Sequence, residues 1–322
     1  MSEGALRIGT RGSALALAQA GAVANAIGPD AELVPIKTSG DEGQPGHEGS
    51  DKARFVREIE RALLDDRIDL AVHSAKDLPI ELPDGLTLAG VPPRELPADA
   101  WIGAAGSLED VPQGAVVGTS SVRRRSQLLA LRPDLDVRPL RGNVDTRLRK
   151  LAEGAYDGIV LAAAGLQRLG REDEIAFPLG PTEMTPAAGQ GALALEARTD
   201  DERAREAAAA LTNPRALFEL TAERAVIRAM EADCDTPIGV ASVRVGENED
   251  GLGLVGYVGS PDGVEWVRES VVGDAGQPVA LAEALVARLE ALGARAILQH
   301  LAGEFEEPEA PEEPQEREEP PL

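Results

Sequence analysis

The run Val72-His73-Ser74-Ala75-Lys76-Asp77-Leu78-Pro79 sets a cation beside a carboxylate directly after an apolar stretch. Residues 68–72 read as a buried strand, and in open α/β sheets ligands bind beyond the carboxyl ends of strands. Lys76 and Asp77 are therefore expected at a binding edge. There Lys76 is a partner for a substrate carboxylate, while Asp77 can move a proton or oppose a positive charge forming on the substrate. For an isolated Lys-Asp pair a solvated ion pair is the commoner role. The chain argues for more, because cations recur at the same kind of position.

The elements that must position these groups follow in order. A strand at 5–10 runs into an alanine-rich helix at 13–27 that Ser13 is placed to cap. Arg11 and Ser13 occupy the turn between them, where free backbone N–H groups and the positive end of the helix dipole favour anions. Residues 32–37 read as a strand, 38–52 as a lid or disordered loop, 53–64 as a helix, 86–91 as a strand and 92–97 as a hinge. A second α/β unit is expected beyond the hinge. Its strand at 115–118 leads through Thr119 and Ser121 to a helix with Arg123, Arg124 and Arg125; the strand at 136–140 leads through Arg141 to a helix with Arg147, Arg149 and Lys150. A strand at 156–161 precedes a turn at 164–168 that carries Arg168. Arginines at successive strand ends of an acidic chain point to a convergent site for a polycarboxylate or a phosphate.

The segment 186–191 precedes a strand at 192–196 and lacks the Lys-Ser/Thr of a phosphate loop. Helices are expected at 201–211 and 215–230, followed by a polar loop with Cys234. Strands at 240–245, 252–258 and 264–271 read as an antiparallel meander, and 277–299 as one amphipathic helix.

Composition bounds the function. With 322 residues and 43% apolar content the chain can bury more than one core. A net charge of −24 argues against nucleic acid, which needs a basic face. No run approaches the ~20 apolar residues that span a bilayer. No signal peptide is read at the N-terminus, so the cytoplasm is expected. One cysteine excludes an intrachain disulfide, and three scattered histidines (His47, His73, His300) give no metal cluster. The Pro/Glu-rich tail, 303–322, carries −8, leaving −16 on the rest, and is expected to be disordered. Four of the 32 cationic residues are lysine, and this acidic, lysine-poor surface suggests adaptation to high salt.

The motifs match a family. Arg7-Ile8-Gly9-Thr10-Arg11-Gly12-Ser13, with Ala16 and Gln19 in the next helix, resembles the start of porphobilinogen deaminase, also called hydroxymethylbilane synthase. Six further blocks, 73–79, 118–124, 140–148, 164–169, 186–193 and 234–239, resemble it in the family's order. The resemblance implies a transferase of tetrapyrrole biosynthesis that joins four porphobilinogen units head to tail, releasing ammonia, on a dipyrromethane cofactor linked to Cys234. It implies two α/β domains resembling periplasmic binding proteins of type II, at 1–92 with 188–211 and at 97–185, plus a smaller α+β domain at 214–300 with a three-stranded antiparallel sheet.

By the same likeness, Lys76, Arg123, Arg124 and Arg147, with Ser74, Thr119 and Ser121, hold the cofactor. Arg11, Ser13, Gln19, Arg141, Arg168 and the lid lysine Lys52 face the substrate, and Asp77 is catalytic, opposing the cation left when ammonia departs. A small-molecule substrate and action as a monomer are expected, with no metal, nucleic acid or membrane partner. Asp145 stands where the family usually has glycine, and it is expected to repel a substrate carboxylate or alter its turn. Ala232 and Asp233 replace glycines before the cysteine, and Asp233 with Asp235 is expected to raise the thiol pKa. A non-catalytic carboxylate-binding protein of the same bilobal type explains the arginines but gives no reason for Cys234, nor for Asp77 in an anion site.

Overall fold

A computed structural model describes residues 4–36, 51–233, 236–245, 251–274 and 276–304, with the backbone alone for 51–55 and 302–304. The chain begins with β1 (Leu6–Arg11), α1 (Ala14–Ile27), β2 (Ala31–Ile36), α2 (Asp51–Leu64), β3 (Leu70–Ser74), a short 3-10 turn Ala75–Asp77, and β4 (Leu86–Gly90). It continues with β5 (Asp99–Gly103), β6 (Val116–Gly118), α3 (Val122–Leu131), β7 (Asp136–Arg138), α4 (Val144–Ala152), β8 (Gly158–Ala162), α5 (Ala163–Arg168) and β9 (Phe177–Leu179). Then come β10 (Leu193–Arg198), α6 (Glu202–Ala210), α7 (Pro214–Ala229), β11 (Ile238–Val245), β12 (Gly251–Gly259), β13 (Trp266–Gly273), α8 (Pro278–Ala291) and α9 (Ala294–Glu304).

Two sheets share one plan. The first has the order β2-β1-β3-β10-β4 and the second β7-β6-β8-β5-β9. Within each, the first three strands run parallel, and the fourth is antiparallel and arrives from the other unit, β10 beside β3 and β5 beside β8. The two segments that cross between the sheets, 91–98 and 180–192, therefore lie together. The third sheet is the expected meander β11-β12-β13, packed on α8 through Leu281, Leu285 and Leu289. Ile8, Leu70 and Leu195, all buried, fill one face of the first sheet. Truncating such a residue to Ala costs about 2–5 kcal/mol.

Four expectations change. The strand expected at 68–72 runs instead from Leu70 to Ser74, and just before it the Asp69 carboxylate grips Arg7 (2.6–3.0 Å). β5 and β9 escaped notice: one opens on an aspartate and the other is Phe-Pro-Leu, so neither shows strand patterning. The turn expected at 164–168 is the helix α5, consistent with its alanines. The single helix at 277–299 is broken into α8 and α9, where Gly293 has φ +95°, a left-handed helix end. Most of the lid loop and most of the acidic tail lie outside the described residues.

Candidate active site

The parallel register of β1 and β3 pairs Ile8 with Leu70 and Gly9 with Ala71, so the two strands end at the same edge. That edge brings Arg11 and Ser13 beside Ser74 and Asp77, and a pocket there is lined by all four together with Gln19 and His73. Ser13 caps α1, accepting from the Ala16 N–H at 3.4 Å. The buried Gln19 amide donates to Ser74 Oγ at 3.0 Å. His73 Nε2 sits 3.0 Å from Glu196 Oε2, a buried pair bridging β3 and β10. Lys76 Nζ donates to Gln190 Oε1 at 3.4 Å.

The second sheet faces this edge with capped helix starts. Ser121 accepts from Arg124 N–H at 3.4 Å and Thr119 Oγ1 from Ser121 N–H at 3.2 Å; Asn143 Oδ1 caps α4 at 3.0 Å. Arg123 and Arg124 start α3, yet both turn inward. Asp99 Oδ2 accepts from Arg123 Nη1 at 2.7 Å, and Oδ1 from Arg124 Nε and Nη2 at 3.0 and 2.8 Å and from Gln190 Nε2 at 2.9 Å. Arg123 also donates to Thr185 O and Arg124 to Val160 O. Burial alone raises the pKa of Asp99; the two guanidiniums outweigh it and hold the carboxyl well below its usual range. Asp99 and Gln190 were absent from the sequence-derived site, and the only local trace of Asp99 is an acidic residue opening an apolar run.

Arg147 is half-buried on α4, with Nε on Gly142 O at 2.7 Å. Burial and the charge of Arg124 pull its pKa down, and Asp77 pulls it back up, which places Asp77, Arg124 and Arg147 within electrostatic reach of one another. Burial likewise depresses Arg168, opposed by Glu95, while its Nη2 donates to Gly191 O at 2.7 Å. The structure thus groups Arg11, Ser13, Gln19, Ser74, Lys76 and Asp77 on one sheet edge, and Thr119, Ser121, Arg124 and Arg147 on the other. Arg141 is exposed. Lys52 lies in the first turn of α2, and Cys234 lies outside the described residues. Next to it, Asp233 Oδ1 accepts from Thr236 Oγ1 at 2.7 Å. Asp145 is exposed and its carboxylate is held by Arg171 at 2.7 Å, so its negative charge is matched on the surface of α4.

A pocket holding Arg11 and Asp77 at the edge of the first sheet, with Arg147 of the second unit within the field of Asp77, gives a two-unit α/β protein with cations placed to meet an anionic ligand. The family model described as porphobilinogen deaminase, dipyromethane cofactor binding domain, matches residues 6–206, and that of the C-terminal domain matches 217–291. The porphobilinogen deaminase of Thermus thermophilus is 50% identical over 302 residues (91% of this chain, 98% of the relative). That of Syntrophobacter fumaroxidans is 44% identical over 310 residues (94% and 99%). The chain belongs to the porphobilinogen deaminase family. It is a transferase that condenses porphobilinogen into hydroxymethylbilane in tetrapyrrole biosynthesis, using a dipyrromethane cofactor.

Similar solved structures include a TRAP periplasmic solute binding protein from Desulfovibrio salexigens (TM-score 0.39, 10% identity, 66% of this chain and 73% of that one). Another is a putative periplasmic sulfonate-binding protein from Methylobacillus flagellatus (TM-score 0.36, 15% identity, 70% and 68%). At these scores the fold class, two α/β units with a C-terminal antiparallel sheet, rests on the strand orders given above. Among the described residues no helix is long and apolar enough to cross a membrane.

The residues present fit an anionic cofactor: Arg147, a half-buried cation on α4, has its pKa lowered by burial and by the charge of Arg124, and a carboxylate placed beside it would offset both effects. The family attaches the cofactor through a cysteine, and this sequence has one.

Proposed function

We propose that Asp77 is the catalytic group and that the paired arginine edges hold the carboxylates of the growing chain. The observation that supports this most is that Asp77, on the edge of the first sheet beside Arg11, acts on the charge of Arg147 on α4 of the second unit. When bound through Cys234, the cofactor supplies the pyrrole terminus that is extended. Arg11, Lys76, Arg147 and Arg168 then bind carboxylates, Ser13, Gln19, Ser74, Thr119 and Ser121 add hydrogen bonds, and Arg141 and Lys52 also bind the substrate. Arg123 acts chiefly through Asp99, which also holds Arg124 in place. Asp77 opposes the positive charge that develops on the substrate as ammonia leaves and accepts the pyrrole proton that follows.

The domain division at 1–92 with 188–211, 97–185 and 214–300, with a tail at 303–322, belongs to the same reading. So does a reducing cytoplasm, supported by a cysteine that must stay a free thiol until it is loaded. Action as a monomer belongs to the same reading. Salt adaptation is supported by the acidic, lysine-poor composition. The test is Asp77→Asn reconstituted with preformed cofactor. One electrostatic group of this kind is worth roughly 10²–10³ in rate, so single addition should slow by that factor with substrate affinity little changed. A near-normal rate would contradict the role.

A further inference from the structure

Arg224 lies on α7, ten residues before Cys234. Its guanidinium donates to three consecutive carbonyls: Leu78 O at 3.2 Å from Nη1, and Pro79 O and Ile80 O at 2.7 and 2.9 Å from Nη2. These carbonyls follow Asp77 directly, in a stretch with neither helix nor strand before β4. No sheet ladder steadies that stretch, and Pro79 has no N–H to offer one. A planar guanidinium with donors at fixed angles can hold several acceptors at once, as a point charge cannot. Packing from the same helix reinforces the grip, since Leu78 is buried with Ala216 and Leu220 of α7.

We propose that Arg224 is a positioning residue for Asp77. By gripping the backbone just beyond the catalytic carboxylate, it mounts Asp77 on α7, whose far end leads into the loop of the cofactor cysteine. The inference rests on the role proposed above for Asp77.

A double-mutant cycle on cofactor-loaded protein tests it, reading the rate constant of a single porphobilinogen addition and KM. Arg224→Met keeps most of the stem and removes the donors. It should lower the rate constant roughly 10- to 100-fold, the scale of a misplaced catalytic group, with KM changed less than about twofold. In an Asp77→Asn background the same change should cost less than about twofold, because the group it positions is already lost. Arg228→Met, which removes an exposed pair with Glu81 and a marginal 3.4 Å contact to Ile80 O, should leave the rate constant unchanged. If Arg224→Met does not load cofactor, Arg224→Lys carries the same cycle, with a smaller loss and the same non-additivity. A normal rate in the Arg224 variant, or losses that multiply in the double mutant, would overturn this inference alone. A normal rate in Asp77→Asn would overturn the reading beneath it.

Discussion

Asp99→Asn is the sharpest probe of the scaffold behind the arginines. The carboxylate is fully buried and takes four hydrogen bonds, three from Arg123 and Arg124 and one from Gln190. Asparagine has nearly the same shape, but its amide would turn an N–H toward one guanidinium and leave two buried cations uncompensated. Removing one partner of a buried ion pair costs about 3–5 kcal/mol. The pH dependence follows from the depressed pKa. The contribution of Asp99 is fully present above its unfolded pKa, about 3.9, and is lost only as pH falls through the lower folded value. Wild type and variant should therefore differ most at neutral pH and converge only in strong acid. The assay is urea unfolding followed by Trp101, which lies two residues along β5, buried and stacked on Phe177, in a Trp266→Phe background that leaves it the sole tryptophan. A loss under about 1 kcal/mol at pH 7 would refute the account of Asp99 as the clamp.

Arg147→Leu should lower kcat/KM by roughly 5- to 100-fold, the equivalent of about 1–3 kcal/mol for a substrate carboxylate left unpaired in a half-dry cleft. Arg149→Leu on the same helix, which removes only an exposed pair with Glu153, should leave steady-state kinetics unchanged. Glu60→Gln concerns a buried carboxyl whose pKa is raised by burial and the Glu196 charge, against His73 and Arg57. Between its ordinary and raised values the folded state holds more protons than the unfolded one, so stability falls as pH rises through that window. The variant should remove that decline when thermal unfolding is compared at pH 5 and pH 8; an unchanged decline would refute it.

What the sequence showed and what it hid divide by range. Ser13 announces its helix because a cap is a contact three residues long, and the structure shows Ser121 and Asn143 capping α3 and α4 in the same way. The arginine-bearing strand ends were legible for the same reason. Asp99 was not, because its partners stand 24, 25 and 91 residues away. Nor does local patterning reveal that β10 leaves one unit and completes the sheet of the other, since its pairing to β3 joins residues more than 100 positions apart. Arg123 and Arg124 looked equivalent along the helix; only the fold shows that both are tied inward to one carboxylate. Asp145 looked like an intruding charge until Arg171 was found across from it.

The most direct measurement of the central claim is the intact mass of the purified protein before and after a brief exposure to porphobilinogen. Wild type should carry two pyrrole units at rest and gain a ladder of single-unit additions on exposure. Asp77→Asn loaded with preformed cofactor should keep the resting mass and show almost no ladder, while Cys234→Ser should show neither. A Cys234→Ser protein that still bears the two units, or an Asp77→Asn protein that builds the ladder at the wild-type rate, would contradict the account.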